Sequence, residues 1–507
     1  MTDAADQPPP EPCGASRFGR RLPRGDTLLD TLGQVTSSLD GARLRIFDSH
    51  DAPAASAILD FVAEGVADVD LAAPAVVLPD FHHKSSMEMP SSIAVATRQT
   101  IRPTFTSASV NCGMALIAME TDRPDRKAID AFFREVRERY PFPRSSRREL
   151  SAREVLRCAT EGAAFAVDRF GATPEDASAM ESNGFLDPAP YGGVDRMKRQ
   201  LPRLVLELAR VRFGAIGPSN HFVELQEVEE ILQPAAADVL GLRVGQLTLQ
   251  YHAGGGMLTS LIGRMYGRRK NFPRPVRAVM AVQKPLLHLA TARSRKVLAL
   301  RRQLYFAGGC PPIVLDSDEG RRVMLGNVAA MNYGWAFRLA TYTALCDIAR
   351  RTLGATTSRL VTDSPHNSIY EEEVAGAPAV VHRHNACRAW TPAQLADHPV
   401  FAAIGQPLLL PGSNRTSSYV CMPGSAAAES LYSSCHGAGT LIDTFADTGL
   451  SLTDPKHRST LRYRYDDSAP QEIPHLDDRG VDEALGILVR NGLVQPVARL
   501  RPLAGLT

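Results

Sequence analysis

Apolar and polar positions run along this chain in two rhythms, short buried runs and stretches of helical period, and the two interleave irregularly. Val76-Val77-Leu78, closed by Pro79-Asp80, predicts a short buried strand, and Ala115-Leu116-Ile117-Ala118 predicts another. Further strand-like runs stand at Leu247–Tyr251, Arg359-Leu360-Val361 and Ala379-Val380-Val381. The helical rhythm is clearest after Ser151-Ala152-Arg153-Glu154, which has capping-box spacing and leads into Val155, Leu156, Ala159, Ala163 and Ala164. A second helix is predicted over Met331–Leu353, with Trp335, Leu339, Leu345 and Ile348 on a similar period and Gly354 placed to end it. No internal repeat and no linker interrupts the alternation, so the pattern predicts an α+β fold, a single large mixed α/β domain over residues 26–507. Residues 1–25, rich in proline and arginine and without an apolar centre, predict a disordered tail rather than a secretory signal.

Composition alters this picture little. The 507 residues are 44% hydrophobic and 22% charged, and no apolar run reaches the length needed to cross a bilayer. A cytoplasmic protein without membrane association is expected. The eight cysteines show neither a disulfide framework nor zinc-finger spacing, so reduced thiols are expected. Charge is more informative, because the net +2 conceals a stretch from Val239 to Leu315 that has no Asp or Glu while Arg and Lys recur from Arg243 to Arg302. Such a stretch suits a phosphodiester backbone, or else a solvated helical face paired with acids elsewhere.

Candidate chemistry is concentrated in five short segments. In Cys435-His436-Gly437-Ala438-Gly439 a histidine is flanked by small residues that let a backbone approach a phosphate, and a neutral imidazole can act as a nucleophile. Asn111-Cys112-Gly113, Asn220-His221-Phe222, Tyr251-His252-Ala253-Gly254 and Ser364-Pro365-His366-Asn367 each set a soft or borderline ligand beside Gly, Asn or Pro. One thiolate with neutral imidazoles suits Mn, Fe, Co or Zn, although each histidine taken alone also fits a hydrogen-bonded structural role.

The same segments resemble the RtcB-type RNA-splicing ligases. Phe213 to Gln226, containing Asn220-His221-Phe222 and Glu224, is similar to that family's signature Gly-Thr-Leu-Gly-x-Gly-Asn-His-Phe-x-Glu-x-Gln. Pro79-Asp80-Phe81-His82 resembles its Pro-Asp-x-His, and Asn111-Cys112-Gly113 resembles the end of its Asp-x-Asn-Cys-Gly. Asn332-Tyr333-Gly334-Trp335-Ala336, His382-Arg383, Cys387-Arg388-Ala389, Pro411-Gly412-Ser413 and Val497–Leu503 follow in the family's order, with Cys435–Gly439 at its Ser-His-Gly-Ala-Gly. The resemblance runs from about residue 79 to 503 and implies the family's fold, with a central metal and nucleotide cleft. It implies a ligase that joins RNA 2′,3′-cyclic phosphate or 3′-phosphate ends to 5′-hydroxyl ends, using GTP and Mn2+ through a histidine-GMP intermediate. By position, His436 is the implied nucleophile and Asp80 a second catalytic residue, with His82 and His83 weaker candidates. Cys112, His221, His252 and His366 are the implied metal ligands, and Asn220, Glu224, Ser413, Gly437, Ala438 and Gly439 the nucleotide contacts. RNA, as tRNA halves or broken ends, and an activating protein are the implied partners.

Departures from the pattern are as specific as the matches. Ser109 stands where the family has a carboxylate, Gly256 lies in the segment that lacks its arginine, and Thr440 and Thr444 replace the arginines after the nucleophile motif. His384-Asn385 and Asn414-Arg415 replace its Lys-Gly and Met-Gly, and the end at Thr507 lacks its lysine. Each lost charge-assisted contact costs about 1.5–3 kcal/mol of binding. Two alternatives to an active ligase therefore stand beside it: an impaired paralogue that binds metal and RNA, and a metal-dependent phosphoryl transferase or hydrolase.

Overall fold

A computed structural model of the chain describes residues 43–142, 149–210, 213, 216, 221–267, 269–270, 274–308, 310–467 and 469–507. The expected tail, residues 1–25, lies outside them, as does Asn220. The described residues fall within one compact unit, Ser37–Thr507.

The chain forms the expected α+β domain. Its central sheet runs in the order Leu408–Leu410, Ser418–Pro423, Val494–Leu506, Phe222–Ile231, Leu247–Ala253, Gly113–Glu120, Thr357–Pro365, mostly antiparallel, with two further strands at one side. Strand alternation gives this sheet two unlike faces. On one, Tyr251 and Asp363 meet the helix Asp318–Thr352, Tyr251 donating its hydroxyl to the Arg338 carbonyl at 2.9 Å. On the other lie Glu224, Gln250 and His252.

A second sheet, ordered Leu44–Ile46, Ala75–His82, Ser91–Thr97, Ala377–His384, Asn367–Val374, and a short ladder of Ala386–Arg388 with Ser433–Cys435 bring later segments over that polar face.

The predicted elements are present with instructive differences in extent. Ser151 and Glu154 form the reciprocal capping box of helix Ala152–Glu161. The helix expected from Met331 begins at Asp318, where the Ser317 hydroxyl accepts from Gly320 N–H. Most of it, from Glu319 to Tyr342, is buried on every side, and a helix surrounded by protein has no solvent-facing stripe to betray its length. Strand Ala75–His82 runs through Pro79-Asp80 rather than stopping there. Its ladder with Ser91–Thr97 shifts register between Val77 and His82, so Pro79, which has no N–H to give, falls in the interruption.

Candidate active site

Cys112 opens the strand Gly113–Glu120, after a turn that places Asn111 at φ +57°. The long helix holds that turn. Asn111 Nδ2 donates to the Met331 carbonyl at 2.5 Å, and Arg338 donates to the Asn111 carbonyl at 2.5 Å while pairing twice with Asp363 at 2.7 and 2.6 Å. Gly334 makes room for this contact, since a Cβ there would lie 2.7 Å from the Asn111 side chain.

His252 lies opposite Met114 on the neighbouring strand, and its Nε2 is 3.2 Å from Cys112 Sγ. His221 Nε2 is 3.4 Å from the same sulfur, with its Nδ1 3.1 Å from the Ile216 carbonyl. His366 enters at the turn between Thr357–Pro365 and Asn367–Val374, where its N–H donates to the Cys112 carbonyl at 2.9 Å.

Donor atoms of Cys112, His252 and His366 lie within 4.8 Å of one another, and all three residues are buried. His221 adjoins them through the thiol. Burial pushes the Cys112 thiol up to about 12, against the pull of Arg338 and the Ser109 hydroxyl. Burial, with the neighbouring His436, His252, Arg338 and His221, holds His366 well below the usual imidazole range, and its Nδ1 has no hydrogen-bond partner. Neutral imidazoles clustered on one thiol, with a buried nitrogen unpaired, form a donor set that fits a borderline divalent ion, whose binding would displace the thiol proton. Ser109 belongs to this centre: a Cβ at Gly254 would lie 3.0 Å from His221 Cε1 and 3.8 Å from Ser109 Oγ.

His436 reaches the same place from the second half of the chain. It follows strand Ser433–Cys435, which pairs with Ala386–Arg388, and its ring centroid is 4.6 Å from that of His366 and 6.3 Å from that of His252. Burial, helped by His82, lowers its pKa to about 4, so its imidazole is neutral at neutral pH, and Nδ1 is buried without a partner. A Cβ at Gly437 would lie 3.7 Å from Pro411, in the segment before Ser413, and Ala438 is buried. A Cβ at Gly439 would meet nothing within 4 Å, so the loop opens onto free space there.

Asp80 is held by the segment that follows His436. It sits at φ +66° with its carboxylate accepting Thr440 N–H at 2.5 Å, and both Thr440 and Leu441 amides hold it at the start of helix Gly439–Asp447. Burial nevertheless raises its pKa to about 7. His82 Nδ1 lies 2.9 Å from the Asp80 carbonyl and 3.0 Å from Thr440 Oγ1, so Thr440 is engaged within the loop. His83 faces away, stacked on Phe61 with centroids 4.9 Å apart.

The nucleotide candidates are only partly gathered. Glu224 is buried on the same sheet face as His252, accepts from Gln226 Nε2 at 2.7 Å, and is pushed up to about 8 by burial. A Cβ on Gly505 would lie 3.1 Å from Asn414 Oδ1 and 3.7 Å from Glu224 Oε2, which places the Pro411–Ser413 segment beside Glu224. Ser413 itself is spent in a turn, its hydroxyl accepting Arg415 N–H at 3.1 Å.

Sequence reasoning missed Gln226, Gln250 and Ser418. Gln226 Nε2 bonds Gln250 at 3.1 Å and Ser418 at 3.2 Å, a buried polar strip leading away from His252. The signal was a polar residue at every second position, Glu224-x-Gln226 and Gln250-x-His252, with apolar Leu225 and aromatic Tyr251 between them.

The basic stretch is not one exposed face. Arg269 pairs with Glu88, Arg301 with Glu319 and Arg243 with Glu120, while Lys284 is buried against backbone carbonyls. A cavity of about 680 Å³ between Phe61, Arg102, Phe105, Arg269 and Cys310 contains none of the candidate residues.

A sequence profile of the family described as tRNA-splicing ligase RtcB matches residues 63–506. A tRNA-splicing ligase RtcB of Pyrococcus abyssi is 28% identical over 422 residues, covering 78% of this chain and 41% of that protein. One from Thermococcus kodakarensis is 26% identical over 458 residues, covering 84% and 86%. An RNA-splicing ligase RtcB of Mycobacterium bovis is 28% identical over 373 residues, covering 69% and 75%. The chain thus spans less than half the length of the Pyrococcus relative.

Proposed function

The chain belongs to the RtcB family as a divergent member, and from that membership we propose that it is an RNA ligase with His436 as its nucleophile. It joins RNA 2′,3′-cyclic phosphate or 3′-phosphate ends, such as those of tRNA halves or broken RNA, to 5′-hydroxyl ends, with GTP and Mn2+. The observation that carries this reading is the position of His436, neutral and 4.6 Å from the ring of His366, in a cluster whose donors fit a divalent ion. When bound, such an ion supplies positive charge that stabilises a transferring phosphoryl group.

Cys112, His252 and His366, with His221 beside the thiol, would hold the ion. His436 offers its lone pair to the α-phosphorus of GTP, and an N–P bond forms as the bond to pyrophosphate breaks. A 2′,3′-cyclic end is first opened by water to the 3′-phosphate; the guanylyl group then passes to an oxygen of that phosphate as the bond to His436 breaks, and the 5′-hydroxyl oxygen, giving its proton to solvent, attacks the phosphorus and displaces GMP. Glu224 and Ser413, together with Asn220, are the residues assigned to the nucleotide. Asp80 orients the loop by closing the helix that follows it.

One observation favours a second reading, a paralogue that binds metal and RNA without sealing. Thr440 supplies no cation beside His436, and its hydroxyl is held by His82. The two separate on incubation with labelled GTP and Mn2+. A covalent guanylyl adduct that disappears in His436→Ala is expected for the ligase, whereas bound metal and filter-retained RNA without any adduct would establish the paralogue.

A further inference from the structure

Helices Arg274–His288 and Arg295–Phe306 form a hairpin with aliphatic side chains on its outside as well as its inside. Inward, Met280, Leu287 and Leu304 join the hydrophobic core, and charged and polar groups are buried beside them. Lys284 Nζ donates to the Arg264 carbonyl at 3.2 Å, His288 Nε2 lies 3.0 Å from the Met265 carbonyl, and Arg301 and Tyr305 both bond Glu319, at 2.6 and 2.7 Å. These buried bonds fix the hairpin to the body of the protein as a rigid platform. Its outward side is aliphatic: Val282 and Leu286, one turn apart, are 56% and 53% exposed, and Leu300 on the second helix is 43% exposed. A lone exposed leucine needs no explanation, but three exposed aliphatic side chains on a hairpin whose core-facing side is already filled by Met280, Leu287 and Leu304 do.

The surroundings say what could cover it. Arg293, Arg295, Lys296 and Arg302 are exposed around the turn and along the second helix, in the stretch that contains no acid. A second copy of this face would bring cation against cation. RNA would satisfy the cations but not the aliphatic stripe, and neither Tyr305 nor Phe306 is exposed to stack a base. An amphipathic helix with acidic flanks matches both features.

We propose that the outward face of this hairpin docks a helix of a partner protein whose aliphatic stripe is bordered by Asp and Glu. The proposal is independent of the chemistry at His436. Its probe is a fluorescein-labelled synthetic helix of about 18 residues, five turns, with leucines at helical spacing and glutamates beside them, titrated against the full chain. A scrambled peptide of the same composition is the control. The patterned peptide is expected to bind at least about tenfold more tightly than the scrambled one, and Val282→Glu/Leu286→Glu to lower its affinity about tenfold. Arg295→Glu/Lys296→Glu should weaken binding and flatten its salt dependence. Should the glutamate pair fail to fold, Val282→Ser/Leu286→Ser is read in the same assay. Equal binding of the two peptides overturns the proposal in favour of a general polyanion surface. Loss of RNA retention on changing Val282 and Leu286 overturns it in favour of RNA, and conversion of a dimer to a monomer by the same change, seen by light scattering, overturns it in favour of a second copy.

Discussion

The carboxylate of Asp80 accepts the backbone N–H of Thr440 at 2.5 Å, so a residue of the second sheet closes the start of the helix that follows His436. His436 and the helix are thereby fixed to the same strand, and Asp80 holds a left-handed backbone conformation to do it. If this positioning is its role, Asp80→Asn, which keeps an acceptor, should form the guanylyl adduct within about tenfold of wild type, while Asp80→Ala should lose about 1 kcal/mol of stability and most of the adduct. Equal inactivity of the two in a folded state would instead assign Asp80 to proton transfer.

Arg338 and Asp363 are both fully buried and paired at 2.6 and 2.7 Å, and Arg338 also holds the turn before Cys112. Asp363→Ala strands a buried guanidinium and should cost about 3–5 kcal/mol in urea unfolding. Arg338→Met/Asp363→Leu should recover much of that stability but not the metal content, because the Asn111 carbonyl loses its donor. Full metal occupancy in the double variant would contradict the link.

For Glu224 the effect is on pH. Burial raises its carboxyl to about 8, against about 4.3 in an unfolded chain. The folded state therefore binds the proton more tightly, and the stability this confers is complete below about pH 4.3 and is lost as pH rises through about 8. Glu224→Gln removes the dependence. Urea unfolding between about pH 5 and about pH 8 should show wild type losing ground to the variant, by at most about 1.4 kcal/mol per pH unit. A constant gap would show that a cation keeps Glu224 ionised.

Ser109 lies beside the candidate metal ligands, its hydroxyl bonded to the Cys112 thiol. Ser109→Asp adds an anionic oxygen there and should raise the Mn2+ content measured by elemental analysis, or the yield of guanylyl adduct. Unchanged values for both would mean that another donor already fills the position.

Much of the architecture was legible because local signals sufficed. The capping box at Ser151 and the apolar runs at Val76 and Ala115 are read from neighbours in sequence, and a helix and two strands form there, although the first strand runs on through Pro79-Asp80. The first part of helix Asp318–Thr352 was not legible, because burial on all sides removes the apolar-polar period that marks a helix. Gln226 and Gln250 were missed for a related reason: in a strand with both faces buried, a polar residue looks like an exception until a partner from another strand is placed beside it.

By itself the sequence determined which residues were chemically suited: a histidine among small residues, one cysteine and three histidines in the family's order, and the positions where expected cations and a carboxylate are missing. Only the tertiary structure decided that these residues meet. Cys112 lies 140 positions from His252, and their 3.2 Å approach follows from strand register, not from spacing along the chain. The same distinction separates Asp80 from His436. Sequence marked both as candidates, but only the structure shows which amides point at the Asp80 carboxylate, those of the first turn of the helix after His436.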